Sequence, residues 1–392
     1  MANHERADLG AGYRNWTASD LVFGGGFFLT GVGTIMLGVL LPVFSKAWGL
    51  RDDTAGLLFF LQFLGSSLGA VLSSADRIRS LLRGYALLVV TACALAFVDS
   101  RISFGIFFFY GLGLGLVMTS TSLIFSDRYG DGRAVKLEAL NFAWAAGATV
   151  APILLLPFLL TANIRSFFLA LQGLFLSLFV WVLIRERRHA SPATSNELLL
   201  VESKPRGALI PLILMAICAV GIDSSLSGWL TTYSHRADAL NIGRATLTTS
   251  VFWLGLTLSR LAFSTRLLAM IGRNRTLAIL LWALAGSIAL LISARLPSVI
   301  LMSAALSGLC VGPIYPLLLS FILETSPRGW IFGVSGTGAV LLPWLTGLLS
   351  AHYGSLRYGL LVPCGAAMVM VTLRSISLRL SESELAPTTS AI

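Results

Sequence analysis

Apolar stretches about as long as a lipid bilayer is thick recur from one end of this chain to the other. A hydrocarbon core about 30 Å thick needs about 20 helical residues to cross it. In lipid, each crossing segment must satisfy its own backbone hydrogen bonds, and an apolar helix does so. Twelve such stretches are read near 20–45, 54–75, 82–99, 102–126, 137–161, 165–185, 208–234, 244–268, 275–294, 297–323, 329–350 and 356–378. The chain is 56% hydrophobic and 12% charged, against about 25% charged residues in soluble domains. These features predict an all-α membrane protein of twelve transmembrane helices.

The formal net charge of +10 invites a nucleic-acid reading, but its distribution argues otherwise. With both termini cytoplasmic, most of the 28 Lys and Arg fall in inner loops and tails, among them Arg77, Arg79, Arg83, Arg128, Arg133, Lys136, Arg185, Arg187 and Arg188. That is the positive-inside bias, which sets orientation; attraction to anionic lipid is secondary. The polar N-terminus lacks the apolar core of a signal peptide, so the first span is expected to be retained. Cys93, Cys218, Cys310 and Cys364 fall within spans without metal-ligand spacing and read as small core residues. His4, His189, His235 and His352 are scattered, which suggests neither a zinc site nor a nucleophile–His pair. An enzyme is not expected.

The chain also resembles itself. Gly147-Ala-Thr-Val-Ala-Pro152 returns as Gly338-Ala-Val-Leu-Leu-Pro343 at an offset of about 191 residues. Gly65 and Arg83 return as Gly255 and Arg273, and Gly111-Leu-Gly-Leu-Gly115 echoes in Gly308-Leu-Cys-Val-Gly312. Matches at nearly half the chain length indicate duplication into two parallel six-helix repeats, an arrangement that permits rocking about a midplane site. The expected organisation is an N-terminal tail at 1–19, a six-helix bundle at 20–187, a polar linker at 188–207, a second bundle at 208–380 and a tail at 381–392.

These features resemble the major facilitator superfamily over about residues 20–380. The family's loop after the second span carries a Gly-rich helix end, then Asp-Arg and a basic cluster. Here these are Gly65-Ser-Ser-Leu-Gly69, then Asp76-Arg77-Ile-Arg79 and Arg83. The resemblance implies that this element latches helices on the cytoplasmic side. Further stretches resemble the fucose-permease-like sugar:proton symporter branch. They are Leu140-Asn141-Phe-Ala-Trp144 with Gly147, Asp223 followed by Gly228-Trp229 and Tyr233, Phe252-Trp253-Leu-Gly255-Leu-Thr257-Leu-Ser-Arg260, and Gly312-Pro313-Ile-Tyr-Pro316. That branch usually shows Glu where Asp223 stands, and its first-span acid is missing here, since Asp20 lies only at the helix entrance.

Polar residues within the spans are the candidate site. Asp223 is the outstanding one, because a carboxylate near a helix centre in lipid costs roughly 2.5–3.5 kcal/mol on insertion scales. It is either a titrating coupling or substrate-contacting residue or the fixed partner of Arg260. Gly221 and Gly228 flank it and are expected to loosen the helix. Arg260, on a stripe with Trp253, Thr257 and Ser264, either meets an anionic substrate, pairs with Asp223 or braces the cytoplasmic half. Asn141 and Trp144 share a helix face and offer a ring and an amide suited to a sugar. Gln62 lies on a stripe with Gly65, Ser66, Gly69 and Ser73 and needs hydrogen-bond partners if buried. Gln62, Asn141, Trp144, Trp229 and Trp253 are therefore expected at the substrate, Asp223 at proton coupling, and Asp76, Arg77 and Arg260 as gate or structural charges. Glu138 and Glu324 lie near helix ends. Pro42, Pro152, Pro313, Pro316 and Pro343 mark bends or helix ends.

The expectation is a monomeric secondary transporter in a bacterial-type inner membrane. It would take up a neutral sugar of the hexose kind with protons, and use no cofactor beyond the proton gradient. The alternative, suggested by 23 Phe and 9 Trp, is a proton-driven efflux antiporter for drugs or other amphiphiles.

Overall fold

The computed structural model describes residues 17–73, 76–98, 100–129, 133–185, 209–237, 241–263, 270–325 and 330–385. The linker expected at 188–207 lies outside them. Among the described residues all regular structure is helical, and twelve long helices follow in order: α1 Ala18–Trp48, α2 Asp52–Val71, α3 Arg77–Phe97, α4 Ser100–Tyr129, α5 Arg133–Leu160, α6 Ile164–Arg185, α7 Leu209–Ala237, α8 Ile242–Phe263, α9 Arg273–Ser293, α10 Pro297–Thr325, α11 Trp330–Tyr353 and α12 Leu361–Leu385. A single turn, Leu356–Gly359, precedes α12. Eleven of these helices are long and apolar enough to cross a membrane. The exception is α8, where Thr246, Thr248, Thr249, Ser250 and Thr257 join Arg244 and Arg260.

The chain forms two compact units. One is Met1–Met36 with Leu64–Ser195, the other Leu37–Phe63 with Asn196–Ile392. Packing in lipid gains little from the hydrophobic effect, so helices associate through close backbone approach at small residues. In the first unit a Cβ on Gly65 would overlap the Phe108 carbonyl oxygen, and one on Gly69 that of Leu112, which closes α2 on α4. Gly147 lies against the Phe28 carbonyl and Gly31 against that of Trp144, which closes α5 on α1.

The second unit repeats both seams. Gly308 lies against the Phe252 carbonyl, and a Cβ on Gly255 would come 2.6 Å from the Ala305 oxygen, closing α8 on α10. Gly338 lies against the Ile217 carbonyl, and a Cβ on Gly221 would come 2.9 Å from the Gly338 oxygen, closing α7 on α11. The helix α7 runs unbroken past Gly221 and Gly228. Those glycines are therefore contact points rather than loosened turns.

Residues 37–63 belong to the second unit for a visible reason. Gly38 packs at 2.9 Å, by its would-be Cβ, on Gly228, and the Phe59 ring stands 5.7 Å from that of Trp229. Asp52, in the first turn of α2, accepts from Arg236 at 2.8 Å and from the Ser350 hydroxyl at 2.6 Å.

Candidate functional site

Asp223 sits midway along α7, two residues after Gly221 and five before Gly228. The residue is half-buried, and its Oδ1 is buried with no hydrogen-bond partner. The Thr231–Thr249 hydroxyl bond, 2.8 Å, fixes the register of α7 against antiparallel α8. Counting along both helices from that bond brings Asp223 level with Thr257, within a turn of Arg260. No ion pair to Asp223 forms among the described residues. Of the two readings the sequence left open, the fixed pair is not the arrangement seen.

Arg260 is engaged elsewhere, its Nε donating to the Gly312 carbonyl on α10 at 3.2 Å. On the same helix as Gly312, Tyr315 shares a 3.0 Å hydroxyl contact with Ser335 of α11. Trp253 lies one turn before Thr257 and is almost wholly buried. Its ring meets Phe252 edge-on at 5.7 Å, and its carbonyl accepts from the Thr257 hydroxyl. Trp229 is fully buried with its indole N–H donated to the Pro343 carbonyl at 2.9 Å, so its polar group is already committed within the unit. Gln62 is buried in the same unit.

Asn141 and Trp144 belong to the first unit. Asn141 is exposed, Trp144 is half-buried, and the Trp144 backbone forms the seam with Gly31. Asp76 and Arg77 have structural partners. The Asp76 carboxylate caps α3 by accepting from the Arg79 N–H at 3.0 Å and pairs with the Arg79 side chain. Arg77 reaches Asp127 at the end of α4, 3.6 Å away. Glu138 is exposed on α5, and the side chain of Glu324 lies outside the described ones.

Two polar clusters were not anticipated from the sequence. Asp20 is fully buried in the first turn of α1 rather than merely at its entrance. It accepts from the Thr17 N–H at 2.8 Å, from the Tyr129 hydroxyl and from Arg128 at 3.4 Å. The ammonium of Lys136 stands 4.7 Å above the Tyr129 ring. A local signal existed, because Thr17-Ala-Ser-Asp20 is a capping-box pattern, and the Asp20 N–H returns the bond to the Thr17 hydroxyl. The other cluster is Asp52 with Arg236 and Ser350, whose members are 184 and 298 residues from Asp52 and leave no local trace.

Comparison with known proteins places this arrangement. The model of the Major Facilitator Superfamily matches residues 23–328. The glucose/mannose transporter GlcP of Bacillus subtilis (strain 168) is 23% identical over 326 residues, covering 76% of this chain and 78% of that protein. A POT family transporter solved in complex with a thioalcohol-conjugated peptide matches with a TM-score of 0.76 at 16% identity, over 95% of this chain and 98% of that one. A bacterial homologue of the human lysosomal transporter Spinster, solved in an inward-facing and occupied conformation, matches with a TM-score of 0.69 at 12% identity, over 93% and 96%. The solved structures share the fold. The chain belongs to the Major Facilitator Superfamily and is an integral membrane transport protein, not an enzyme.

Proposed function

We propose that this protein takes up a neutral hexose together with protons by alternating access, in a bacterial-type cytoplasmic membrane with both termini inside. The observation that carries the reading is the Asp223 carboxylate, which has a buried oxygen without a partner. A buried ionised carboxylate is costly unless paired, whereas a neutral one is tolerated. A group in that position exchanges a proton whenever water reaches it. The sugar side rests on the likeness to a glucose/mannose transporter and on the ring and amide that Trp144 and Asn141 carry three residues apart on α5. Rings stack on the apolar faces of a pyranose, and amides meet its hydroxyls. Trp229, with its N–H committed to Pro343, contributes a wall rather than a hydrogen bond.

The test is uptake of labelled glucose and mannose into proteoliposomes. An inward proton gradient is expected to drive accumulation. Asp223→Asn is expected to abolish accumulation while sparing sugar counterflow exchange. Gradient-independent equilibration by the wild type, or full accumulation by the variant, overturns the coupling. Gradient-driven export of hydrophobic cations without sugar uptake favours the efflux alternative.

A further inference from the structure

The helix α8 falls short of the apolarity of the other long helices, yet its hydroxyls are not turned outward. Thr246, Thr248, Thr249 and Ser250 are buried, and so are Ser227, Thr231 and Ser234 on α7. Counting from the 2.8 Å Thr231–Thr249 bond puts Thr257 level with Asp223, Ser250 with Leu230 and Thr246 with Ser234. Asp223, Ser227, Leu230 and Ser234 share a stripe of α7, as Ser250, Trp253 and Thr257 share one of α8. A polar seam thus runs from Asp223 to the end of α7. Among the described residues, Asp223 Oδ1, Ser250 Oγ and Ser234 Oγ are buried on it without a hydrogen-bond partner. The Thr231–Thr249 pair adds to the need, since two hydroxyls carry two protons and their mutual bond uses one. Buried polar groups are nearly always partnered. At about 1.5 Å per residue, Ser250 lies roughly 10 Å along the seam from Asp223, and Ser234 roughly 6 Å further. Those gaps are too long for the groups to satisfy one another directly.

We propose that a line of buried waters occupies this α7–α8 seam and carries protons to Asp223 from the outer end of α7. A buried water is held by two to four polar partners, and the seam supplies them at intervals. The Thr246 and Thr257 hydroxyls donate to the Ile242 and Trp253 carbonyls and keep lone pairs to accept from water. Ser234, Ser250 and the threonine pair can both donate and accept, which suits a line that must turn over after each transfer. Each water takes a proton on one side and releases another on the far side. One proton then forms the O–H bond at Asp223 Oδ1, and every water ends neutral. The charged groups lie beyond the ends of the line. Arg260, level with Val220, donates to the Gly312 carbonyl at the inner end. At the outer end Arg236 pairs with Asp52, next in sequence to His235. The proposal rests on the reading of Asp223 as a titrating group and on the orientation given above.

The sign of a thermal shift tests the waters. Removing a dry, unpartnered hydroxyl raises the midpoint of unfolding, whereas removing one that holds a water lowers it. Ser234→Ala and Ser250→Ala, each in the full chain in detergent, are expected to lower it. An unchanged or raised midpoint in either variant overturns the line. Ser307→Ala is the control for stability alone. Its hydroxyl is buried and donates to Ser287 at 2.9 Å between α9 and α10, so its loss should lower the midpoint without touching the seam. In proteoliposomes with an inward proton gradient, both seam variants should slow the initial rate of sugar accumulation several-fold. Their sugar counterflow, and accumulation by Ser307→Ala, should keep the wild-type rate. Wild-type accumulation rates in the seam variants, or counterflow slowed by the same factor, overturn proton delivery through the seam. Proton-driven uptake with unslowed seam variants removes the route and leaves the coupling. Absence of proton-driven uptake in the wild type removes the coupling and the route together, and lowered midpoints then assign the waters to structure alone.

Discussion

The two halves of the sequence build the same seams from different charges. In the first half, α1 closes on α5 at Gly31 and Gly147, and α2 on α4 at Gly65 and Gly69. In the second, α7 closes on α11 at Gly221 and Gly338, and α8 on α10 at Gly255 and Gly308. The buried acids in these scaffolds have opposite environments. Asp20 is surrounded by donors from Thr17, Arg128 and Tyr129, whereas Asp223 has a buried oxygen with none. A carboxylate with several donors is held in its charged form, and an ionised one without donors is costly to bury. The duplicated part is thus the packing, and what differs between the halves is how their acids are partnered.

The strongest way to break this comparison is at the seams. Gly147→Ala and Gly338→Ala each push a methyl group into a backbone carbonyl, of Phe28 and Ile217 respectively. A backbone oxygen cannot rotate aside as a side chain can, so each variant should lose at least the upper end of the about 1–3 kcal/mol typical of overpacking. Size-exclusion profiles and thermal midpoints in detergent measure this. A large loss in one variant with tolerance in the other would show that the seams are not equivalent.

The two acids should respond in opposite ways. Asp20→Asn removes a charge that accepts from three groups and should cost about 1–3 kcal/mol, the range for leaving buried donors unsatisfied. Among the described residues Asp223→Asn breaks no hydrogen bond or ion pair and should leave the thermal midpoint nearly unchanged or raised, while accumulation is lost. Matched destabilisation by the two variants would erase the contrast between a fixed and a titrating acid.

What could be read in the sequence follows from how local each interaction is. The seams were legible because small residues at helical spacing are a property of one segment, and the offset between Gly147 and Gly338 exposed the duplication. The span of α8 was legible as apolar, yet its threonines and two arginines leave it short of the apolarity of the other eleven helices. Asp223 was legible as an anomaly. Whether Arg260 pairs with it was not, because the bond from its Nε to the Gly312 carbonyl spans 52 residues and leaves no local pattern. Trp229 read as a sugar contact because its sequence neighbours resemble a sugar branch. Its N–H is in fact taken by Pro343, 114 residues away, a partner no local pattern indicates.

Asp52 sharpens the same point at a smaller energy. Its partners Arg236 and Ser350 both come from the second half, and they hold residues of α1 and α2 within the second compact unit. Arg236 is 42% exposed, so solvent screening limits the loss from Asp52→Asn to about 1 kcal/mol. The thermal midpoint should fall slightly, and addition of salt should shrink the difference between variant and wild type. A salt-independent loss of several degrees would assign the stability to the Ser350 bond rather than to the ion pair.

The finest contrast is between the starts of α3 and α9, which follow the corresponding second spans of each half. Asp76 caps α3 with its side chain, accepting from the Arg79 N–H. The equivalent place before α9 is Gly272, at φ +84° and with no side-chain cap. One start therefore depends on an acceptor and the other on backbone freedom. Asp76→Ala should cost about 1 kcal/mol, the usual loss of an N-cap, with a further small loss from the exposed Arg79 pair. Gly272→Ala should cost about 1–2 kcal/mol through the left-handed backbone it forces on a residue with a Cβ. Asp76→Gly should recover most of the cap loss, since glycine is only a few tenths of a kcal/mol worse there. Gly272→Asp should gain nothing, because its backbone angle is closed to a side chain before any cap can form. Unfolding midpoints of the four variants decide it. If Gly272→Asp stabilises the protein, α9 can begin as α3 does, and the difference between the two loops is one of sequence drift rather than of geometry.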